Sequence, residues 1–473
     1  MIVLRDAEIA AQNPWWQRSD WVSTDPHLQT LAAQPRRLPA PLVDEIDLQA
    51  PAIHLLRGPR QVGKSTALKL LVRRALEAEG YPVRRVLYLA FDLLEDEPPG
   101  EMAETVVRAK QMARGGGTSL ILLDEVTVVP RWRAAVKYLW DRGELRNDVV
   151  ICTGSSAIGL HDGAERLPGR RGAGADHGMW PLTFAAFAQT VAPEIPPSKR
   201  LEIADLLTGA GRDTCLDMQV HLPTLDDLLD RYLRFGGLPA AVAEAVDGAH
   251  GPSASTRAIA YDSLLKELAA RGASGATAHR LLERVVRSLG SKLSWTSLAQ
   301  DLGTGHGLAR EYVERLARGY FLLPLYFWRR GSLSGDLSKD KKLYFGDPLL
   351  HTVAHERAPG IPDDRAAMVE NAIALSLLHR YEPVESLVEG FETVEQLHVW
   401  GTRSGGEVDF VCGPFRSVAA VEVKYRTRLD RRTVRGALRA LPGRPVVVAT
   451  KDVLEFHGDH AYIPSALLLW ALG

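Results

Sequence analysis

Short apolar runs alternate with longer stretches of helical periodicity between about residues 51 and 190. This alternation is typical of a parallel sheet whose strands are joined by helices, so it predicts an α/β domain. The predicted strands are Ile53–Leu56, Val86–Phe91, Leu120–Leu123 and Val149–Thr153. A glycine-rich stretch, Gly169–Gly178, predicts a mobile loop at the end of this region.

The rest of the chain changes pattern several times. Mostly helical sequence follows the α/β region, then helices with a strand pair, and then a second set of apolar runs. The later predicted strands are Gln396–Gly401, Val408–Cys412, Ala419–Val423 and Pro445–Ala449. The predicted segments are a polar lead-in (1–40), an α/β core (41–190), a helical lid (191–275), a winged-helix-like module (276–345) and a second α/β domain (346–473).

Composition narrows the class of protein. A chain of 473 residues exceeds one ordinary core, and 46% apolar with 24% charged residues is typical of globular proteins. We expect no membrane span and no signal peptide, because no run of about 18 apolar residues occurs and the start lacks a basic, apolar leader. The three cysteines lie far apart, so we expect no disulfide framework or zinc site, and a cytoplasmic location.

Residues 58–65, GPRQVGKS, match the G-x-x-x-x-G-K-[ST] pattern of a phosphate-binding loop. A strand is predicted before it and a helix, Thr66–Ala78, after it, which disfavours the alternative of an ordinary glycine turn. In such a loop Lys64 contacts the β- and γ-phosphates of ATP and Ser65 contacts Mg²⁺. The candidate nucleotide contacts here are Gly58, Pro59, Arg60, Gln61, Val62, Gly63, Lys64, Ser65 and Thr66.

Two further strand ends carry candidate nucleotide chemistry. Asp124 and Glu125 follow a buried strand, where Asp124 would support Mg²⁺ and Glu125 would polarise the attacking water. Thr153, with Ser155, is a candidate sensor of the γ-phosphate, although a polar turn explains these hydroxyls equally well. Arg170 and Arg171 are candidates to stabilise the transition-state charge, and solvated surface arginines are the equal alternative.

The order of several motifs resembles a group of bacterial and archaeal AAA-type ATPases that carry a C-terminal domain formally of unknown function. The resemblance covers about residues 40–450. In order, the motifs are RGPRQVGKST, LILLDEV, ICTGSSA, LPGRR, PLTF, FGGLPAAV, LYFGDPLL, MVENAIA and GGEVDFV…AVEVK. It implies a P-loop ATPase core and a C-terminal fold like that of PD-(D/E)XK restriction-type endonucleases.

Three C-terminal residues form the Asp-x12-Glu-x-Lys pattern of those nucleases, and an upstream acid accompanies them. Asp409 lies on one predicted strand, Glu422 and Lys424 share a face of the next, and Glu370 lies on a helix. The carboxylates would hold Mg²⁺, and the lysine would orient the attacking water. Two alternatives stay open. In the first, Glu and Lys only form the solvent-exposed face of a strand; in the second, the domain is a nuclease relic that binds without cutting.

Nucleic-acid binding needs a local patch, because the formal net charge is only −1. Arg431, Arg435 and Arg439 lie at i, i+4 and i+8 and would share one helix face. The winged-helix-like module offers a candidate reading helix, Leu308–Gly319. That helix mixes acids with arginines, so packing against protein stays open beside DNA reading.

The sequence therefore predicts an enzyme that binds ATP and Mg²⁺ and hydrolyses ATP. It also predicts that the protein acts on or binds nucleic acid, and it favours DNA over RNA. The alternative function is an ATP-dependent switch whose C-terminal domain is a non-catalytic interaction module. A homo-oligomer in which Arg170 or Arg171 reaches a neighbour's γ-phosphate is left open.

Overall fold

A computed structural model describes residues 4–34, 36, 38, 40–94, 97–113, 117–154, 171–269, 272–328, 335, 340–387, 390–391, 394–401, 407–414, 417–426 and 432–473. The chain forms two compact units, Met1–Trp180 and Pro181–Gly473, which are described in turn.

A parallel sheet forms the centre of the first unit. Its strands are β1 (Ala52–Arg57), β2 (Val86–Ala90), β3 (Leu120–Asp124), β4 (Val149–Gly154) and β5 (Asp176–Gly178), in the order β2-β3-β4-β1-β5. All paired strands run parallel. The four strands predicted from the apolar runs are confirmed. β5 was not predicted, because it lies in the segment interpreted as a glycine-rich loop.

Helices cover this sheet, and β1, β3 and β4 are therefore buried along their length. The helices are α1 (Asp6–Gln12), α2 (Pro26–Ala32), α3 (Pro41–Glu45), α4 (Lys64–Glu77), α5 (Pro99–Ala113) and α6 (Trp132–Asp141). Apolar residues of α4, α5 and α6 share one core with the strands. The sheet is thus a rigid support for the loops at the carboxyl ends of its strands.

The polar lead-in contributes to this core and covers the outer edge of β2. Trp15 and Trp16 are buried, and both indole N–H groups donate to Val86 O. Asn13 exchanges two hydrogen bonds with the backbone of Tyr88, at 2.7 and 2.9 Å. Gln12 accepts from Ala90 N at 2.8 Å and donates to Ala90 O at 3.5 Å. These side chains therefore occupy the backbone donors and acceptors of β2 with which another strand would otherwise pair.

The second unit begins with helices and continues into three helices and a strand pair. The first helices are α7 (Phe184–Val191), α8 (Gly209–Met218), α9 (Leu222–Phe235), α10 (Pro239–Val246) and α11 (Ala254–Ala269). The next elements are α12 (Gly275–Arg287), α13 (Trp295–Leu302), α14 (His306–Arg318), β6 (Leu322–Tyr326) and β7 (Lys341–Phe345). β6 and β7 pair antiparallel, which confirms the predicted helices followed by a strand pair.

A buried carboxylate joins three of the motifs that carry the family resemblance. Asp347, from FGDPLL, accepts from Gly237 N at 2.7 Å and from Leu349 N at 2.8 Å. Gly237 O in turn accepts from Leu182 N, in PLTF, at 2.9 Å. A Cβ on Gly236 would lie 1.9 Å from Asp347 Oδ1, so glycine is required there. These motifs therefore form one packing joint.

A six-stranded mixed sheet ends the second unit. Its strands are β8 (Leu397–Gly401), β9 (Glu407–Cys412), β10 (Ala419–Lys424), β11 (Val446–Thr450), β12 (Glu455–Phe456) and β13 (His460–Pro464), in the order β12-β13-β11-β10-β9-β8. The nearby helices are α15 (Pro348–His355), α16 (Arg365–Tyr381), α17 (Val384–Leu387), α18 (Arg432–Ala440) and α19 (Ser465–Leu472). The four predicted strands are confirmed, whereas β12, β13 and α19 were not predicted.

Within the described ranges, none of the helices has both the length and the apolar character needed to cross a membrane.

Candidate functional site

The phosphate-binding loop connects β1 to α4, and its glycines are required by the local geometry. Gly58 has φ +155°, and a Cβ there would lie 2.0 Å from Met179 O. Gly63 has φ +96°, a left-handed conformation that L side chains disfavour. Gln61 is also left-handed, at φ +65°. The backbone therefore turns sharply between the strand end and the first turn of α4, where Ser65 and Thr66 lie.

Lys64 is buried at the start of α4. Its ammonium donates to Gly58 O at 3.0 Å and to Pro59 O at 2.9 Å. Burial lowers the pKa of Lys64 to about 8, while Glu125 and Asp124 act to raise it. The loop thus carries a cation in the electrostatic range of Asp124, the last residue of β3, and of Glu125, which follows it.

A threonine hydroxyl links these two acids. Thr153 Oγ1 donates to Asp124 Oδ1 and accepts from Glu125 N at 3.0 Å. Asp124 Oδ2 accepts from the Tyr88 hydroxyl at 2.7 Å. Glu125 has φ +52°, so the chain turns abruptly after β3. The structure therefore places Thr153 against the acids, in a position that orders both of them.

The donor set at this edge of the sheet fits Mg²⁺. Ser65 offers a hydroxyl and Asp124 a carboxylate, and Mg²⁺ prefers such oxygen ligands with water and phosphate completing its shell. These are the two residues of the first unit that the sequence predicts as metal ligands.

Two polar residues near the acids escaped the sequence analysis. Tyr88 is the one polar side chain in the apolar strand VLYLA. This break in the apolar pattern could have identified it as a functional residue. Asp92 follows β2, and burial together with repulsion from Glu125 and Asp124 raises its pKa. An acid beside other acids at a strand end is the second signal.

The structure does not bring Arg171 to the loop of its own chain. Its guanidinium lies at the start of β1, 3.4 Å from Ile53 O, and forms an ion pair with Asp176 at 2.9 Å. Gly58 lies at the opposite end of the same strand. Ser155 and Arg170 fall outside the described residues.

In the second unit, four acids form what we call the carboxylate centre: Glu370, Glu407, Asp409 and Glu422. The structure brings the predicted Glu370, Asp409 and Glu422 together, on α16, β9 and β10. It also brings Lys342, from β7, which the sequence analysis missed. Lys342 Nζ lies 3.0 Å from Glu370 Oε1, 2.8 Å from Glu407 Oε1 and 2.8 Å from Asp409 Oδ1.

The predicted Lys424 lies at the other side of the carboxylate centre. Its Nζ is 2.8 Å from Glu422 Oε1 and 3.8 Å from Asp409 Oδ2. Val423 N donates to Asp409 Oδ2 at 2.9 Å. Burial, and then repulsion from Asp409, raise the pKa of Glu370 and of Glu422 to about 7.

Burial alone would lower the pKa of Lys342, but Asp409, Glu370 and Glu407 outweigh it and raise that pKa above its usual range. These acids therefore favour the charged form of Lys342.

This arrangement does not fit Mg²⁺. The carboxylate oxygens surround an ammonium at 2.8–3.0 Å, whereas Mg²⁺ requires oxygens at about 2.0–2.1 Å. In the part of the chain that the structure describes, no group of three or more His, Cys, Asp or Glu side chains is placed to hold a metal ion. The expected metal ligands Glu370, Asp409 and Glu422 are thus close together but arranged around Lys342.

The basic helix face lies on α18. Arg435 and Arg439 are exposed, while Ala437 and Leu441 are buried against the C-terminal sheet. Arg431 falls outside the described residues. An exposed pair of arginines on one face offers positive charge to a polyanion.

Three family models match successive parts of the chain. Residues 50–188 match an AAA domain, residues 226–358 match a domain of unknown function (DUF8612), and residues 365–468 match a domain of unknown function (DUF4143). The comparison with curated proteins finds no match.

Several solved structures of origin recognition complex proteins share low similarity with the chain. The ORC1 protein of Aeropyrum pernix in complex with DNA is 15% identical over 73% of this chain and 96% of that one, with a TM-score of 0.27. Drosophila ORC bound to DNA is 14% identical over 76% and 94%, with a TM-score of 0.23. Both TM-scores lie below 0.5, so these likenesses define neither fold nor function here. Sheet, loop and family model together show that the chain carries an AAA-type P-loop domain.

Proposed function

We propose that this protein binds ATP with Mg²⁺ and hydrolyses it at the loop 58–65. The observation that carries the proposal is that the buried Lys64, in the loop after β1, lies at the same edge of the parallel sheet as Asp124 and Glu125 at the end of β3. Positive charge for the phosphates and acids for metal and water are thereby held at one edge of a rigid sheet.

Each residue has a distinct role in this proposal. Lys64 leaves its loop carbonyls to contact the β- and γ-phosphates, and Ser65 with Asp124 holds Mg²⁺, which neutralises phosphate charge. Glu125 accepts a hydrogen bond from the attacking water and orients it. Thr153 and Tyr88 are positioning residues, because they contact the acids and not the reacting atoms.

Steady-state ATP hydrolysis and nucleotide binding together test this proposal. We expect Lys64→Ala to abolish both, and Glu125→Gln to retain binding but lower kcat by at least about 100-fold, as expected for loss of a catalytic base. Glu77→Gln, which alters an exposed pair with Arg73 at the far end of α4, is the matched control and should behave as wild type. Unchanged turnover in Lys64→Ala would refute the assignment.

We propose that the C-terminal domain binds nucleic acid through Arg435 and Arg439, with a preference for DNA over RNA. The proposal is supported by the exposure of both side chains on one face of α18. Fluorescence anisotropy with labelled duplex DNA and RNA should show weaker binding and a smaller salt dependence when both are changed to alanine. Arg212→Ala removes an exposed arginine from α8 and should leave affinity unchanged. Equal affinity of the double variant and wild type would contradict the proposal.

Cleavage is the second candidate activity, and the carboxylate centre favours binding without cutting. Lys342 lies where a metal ion would have to lie, so no catalytic step follows from the arrangement. A nuclease assay with Mg²⁺, with and without ATP, tests this. Cleavage by the wild type that Glu422→Ala abolishes would restore the nuclease hypothesis.

The module at 276–345 is proposed to pack against protein and not to read DNA. The arginines of α14 are already paired: Arg315 with Glu267 at 3.2 Å, Arg318 with Glu314 at 3.7 Å, and Arg310 also with Glu314. Paired arginines are less available to phosphates. Taken together, the proposed function is that of an ATP-driven switch in the cytoplasm. Its C-terminal domain binds nucleic acid.

A further inference from the structure

Carboxylates surround the ammonium of Lys342. A lysine ammonium has three N–H donors, and three carboxylates surround this one at 2.8–3.0 Å. The side chain is only 2% exposed, so water does not substitute for any of these contacts. It donates hydrogen bonds to Glu370 Oε1 and Asp409 Oδ1 and forms an ion pair with Glu407 Oε1.

We infer that Lys342 is the resident cation of the carboxylate centre, which binds a side chain of its own chain in place of a divalent metal. The distances from Nζ to the oxygens support this, since 2.8–3.0 Å suits an ammonium, whereas Mg²⁺ holds its oxygens at about 2.0–2.1 Å. Charge supports it as well, because a metal ion placed beside Lys342 would meet a buried like charge. The inference does not depend on ATP hydrolysis.

The surrounding groups complete the same arrangement. Tyr344, two residues along β7 on the same face, donates to Glu370 Oε1 at 2.7 Å. Lys292 Nζ lies 3.0 Å from Glu407 Oε2, and Lys424 pairs with Glu422. Every carboxylate of the centre therefore has a cation or a hydroxyl as its partner.

The centre consequently anchors β7 to the C-terminal sheet. Lys342 belongs to the strand pair, whereas Asp409 and Glu407 belong to β9. Residues in the pattern of a nuclease would here act as an ionic clamp between two parts of the second unit. Withdrawal of Lys342 would leave buried acids that a divalent cation can neutralise.

The neighbouring lysine provides a matched control. Lys341 is equally buried but lies on the opposite face of β7, with Nζ 3.1 Å from the centroid of the Trp295 ring. Its Nζ has no hydrogen-bond partner among the described residues. Lys341→Met therefore removes a buried lysine without touching the carboxylate centre.

The test is a calorimetric titration of the full chain with MnCl₂ in the absence of nucleotide. We expect wild type and Glu422→Gln to bind Mn²⁺ alike, because the centre binds none. Lys342→Met should gain a site that is lost again when Asp409→Asn is added. It should also lower Tm by roughly 10 °C, as expected for an uncompensated buried charge, and recover in MnCl₂. Lys341→Met should gain no site.

Two results would overturn the inference. The first is a wild-type Mn²⁺ site that Glu422→Gln removes. The second is a folded Lys342→Met protein that gains no Mn²⁺ site. If Lys342→Met does not fold, the comparison of wild type with Glu422→Gln decides alone: equal binding supports the inference and a lost site overturns it.

Discussion

Changing Tyr88 to phenylalanine would test how firmly Asp124 must be held for hydrolysis. The Tyr88 hydroxyl donates to Asp124 Oδ2 at 2.7 Å inside the sheet. Phenylalanine fills the same space, and Lys69, whose Nζ lies 3.5 Å from the ring centroid, keeps its aromatic partner. The substitution therefore removes one hydrogen bond and little packing.

The expected magnitude follows from the kind of hydrogen bond. A hydrogen bond to a charged group contributes about 1.5–3 kcal/mol, and Asp124 keeps the Thr153 hydroxyl, so we expect a loss of about 2 kcal/mol. In a unit of this size that corresponds to a Tm lower by roughly 4–8 °C. If the lost order acts fully on the transition state, kcat falls by up to roughly 30-fold.

Scanning calorimetry and ATP hydrolysis at saturating ATP and Mg²⁺ measure both effects. Tyr232→Phe is the control, because its hydroxyl donates to a neutral carbonyl, Leu182 O, at 3.1 Å in the second unit. That variant should keep the wild-type kcat. If Tyr88→Phe also keeps the wild-type kcat and Tm, the hydroxyl does not position Asp124 and the reasoning fails.

Three further outcomes are expected. Gly58→Ala should weaken binding of a fluorescent ATP analogue at least tenfold, since its Cβ would meet Met179 O at 2.0 Å, and unchanged affinity would contradict this. Thr153→Val should lower kcat while retaining ATP binding, because Asp124 loses one of its two hydroxyl donors; equal kcat would exclude this role. Burial raises the pKa of Asp347 to about 7, so the folded state binds its proton more tightly than the unfolded chain. Protonated Asp347 therefore contributes up to about 4 kcal/mol to the free energy of unfolding. This contribution is complete below about pH 4 and is lost as the pH rises through about 7. Urea unfolding of wild type and Asp347→Asn across this range should show a flatter profile in the variant.

The local features of this structure could be predicted from the sequence. Apolar runs predicted β1 to β4, because a strand buried on both faces has a continuous apolar pattern. The loop at 58–65 was visible because its chemistry lies within eight consecutive residues. Asp409 and Glu422 were paired correctly because alternation along neighbouring strands fixes which residues share a face.

The long-range part was not predictable in this way. Lys342 looks like half of a surface Lys-Lys pair, yet its partners Glu370 and Asp409 lie 28 and 67 residues away. β5 is three residues long and contains no apolar side chain, so periodicity could not detect it. Arg171 was a candidate for the phosphates, with a solvated surface arginine as the equal alternative. The sequence does not show that the chain after β4 brings it to the start of β1.

The cover on β2 limits how copies of this protein can meet. The carbonyl of Val86 and both backbone groups of Tyr88 and Ala90 are already engaged by side chains of the lead-in. An edge without open donors and acceptors cannot template a further strand. Fibrous growth and strand exchange through β2 are therefore blocked. A chain that lacked residues 12–16 would expose these backbone donors and acceptors of β2 to pairing with another strand.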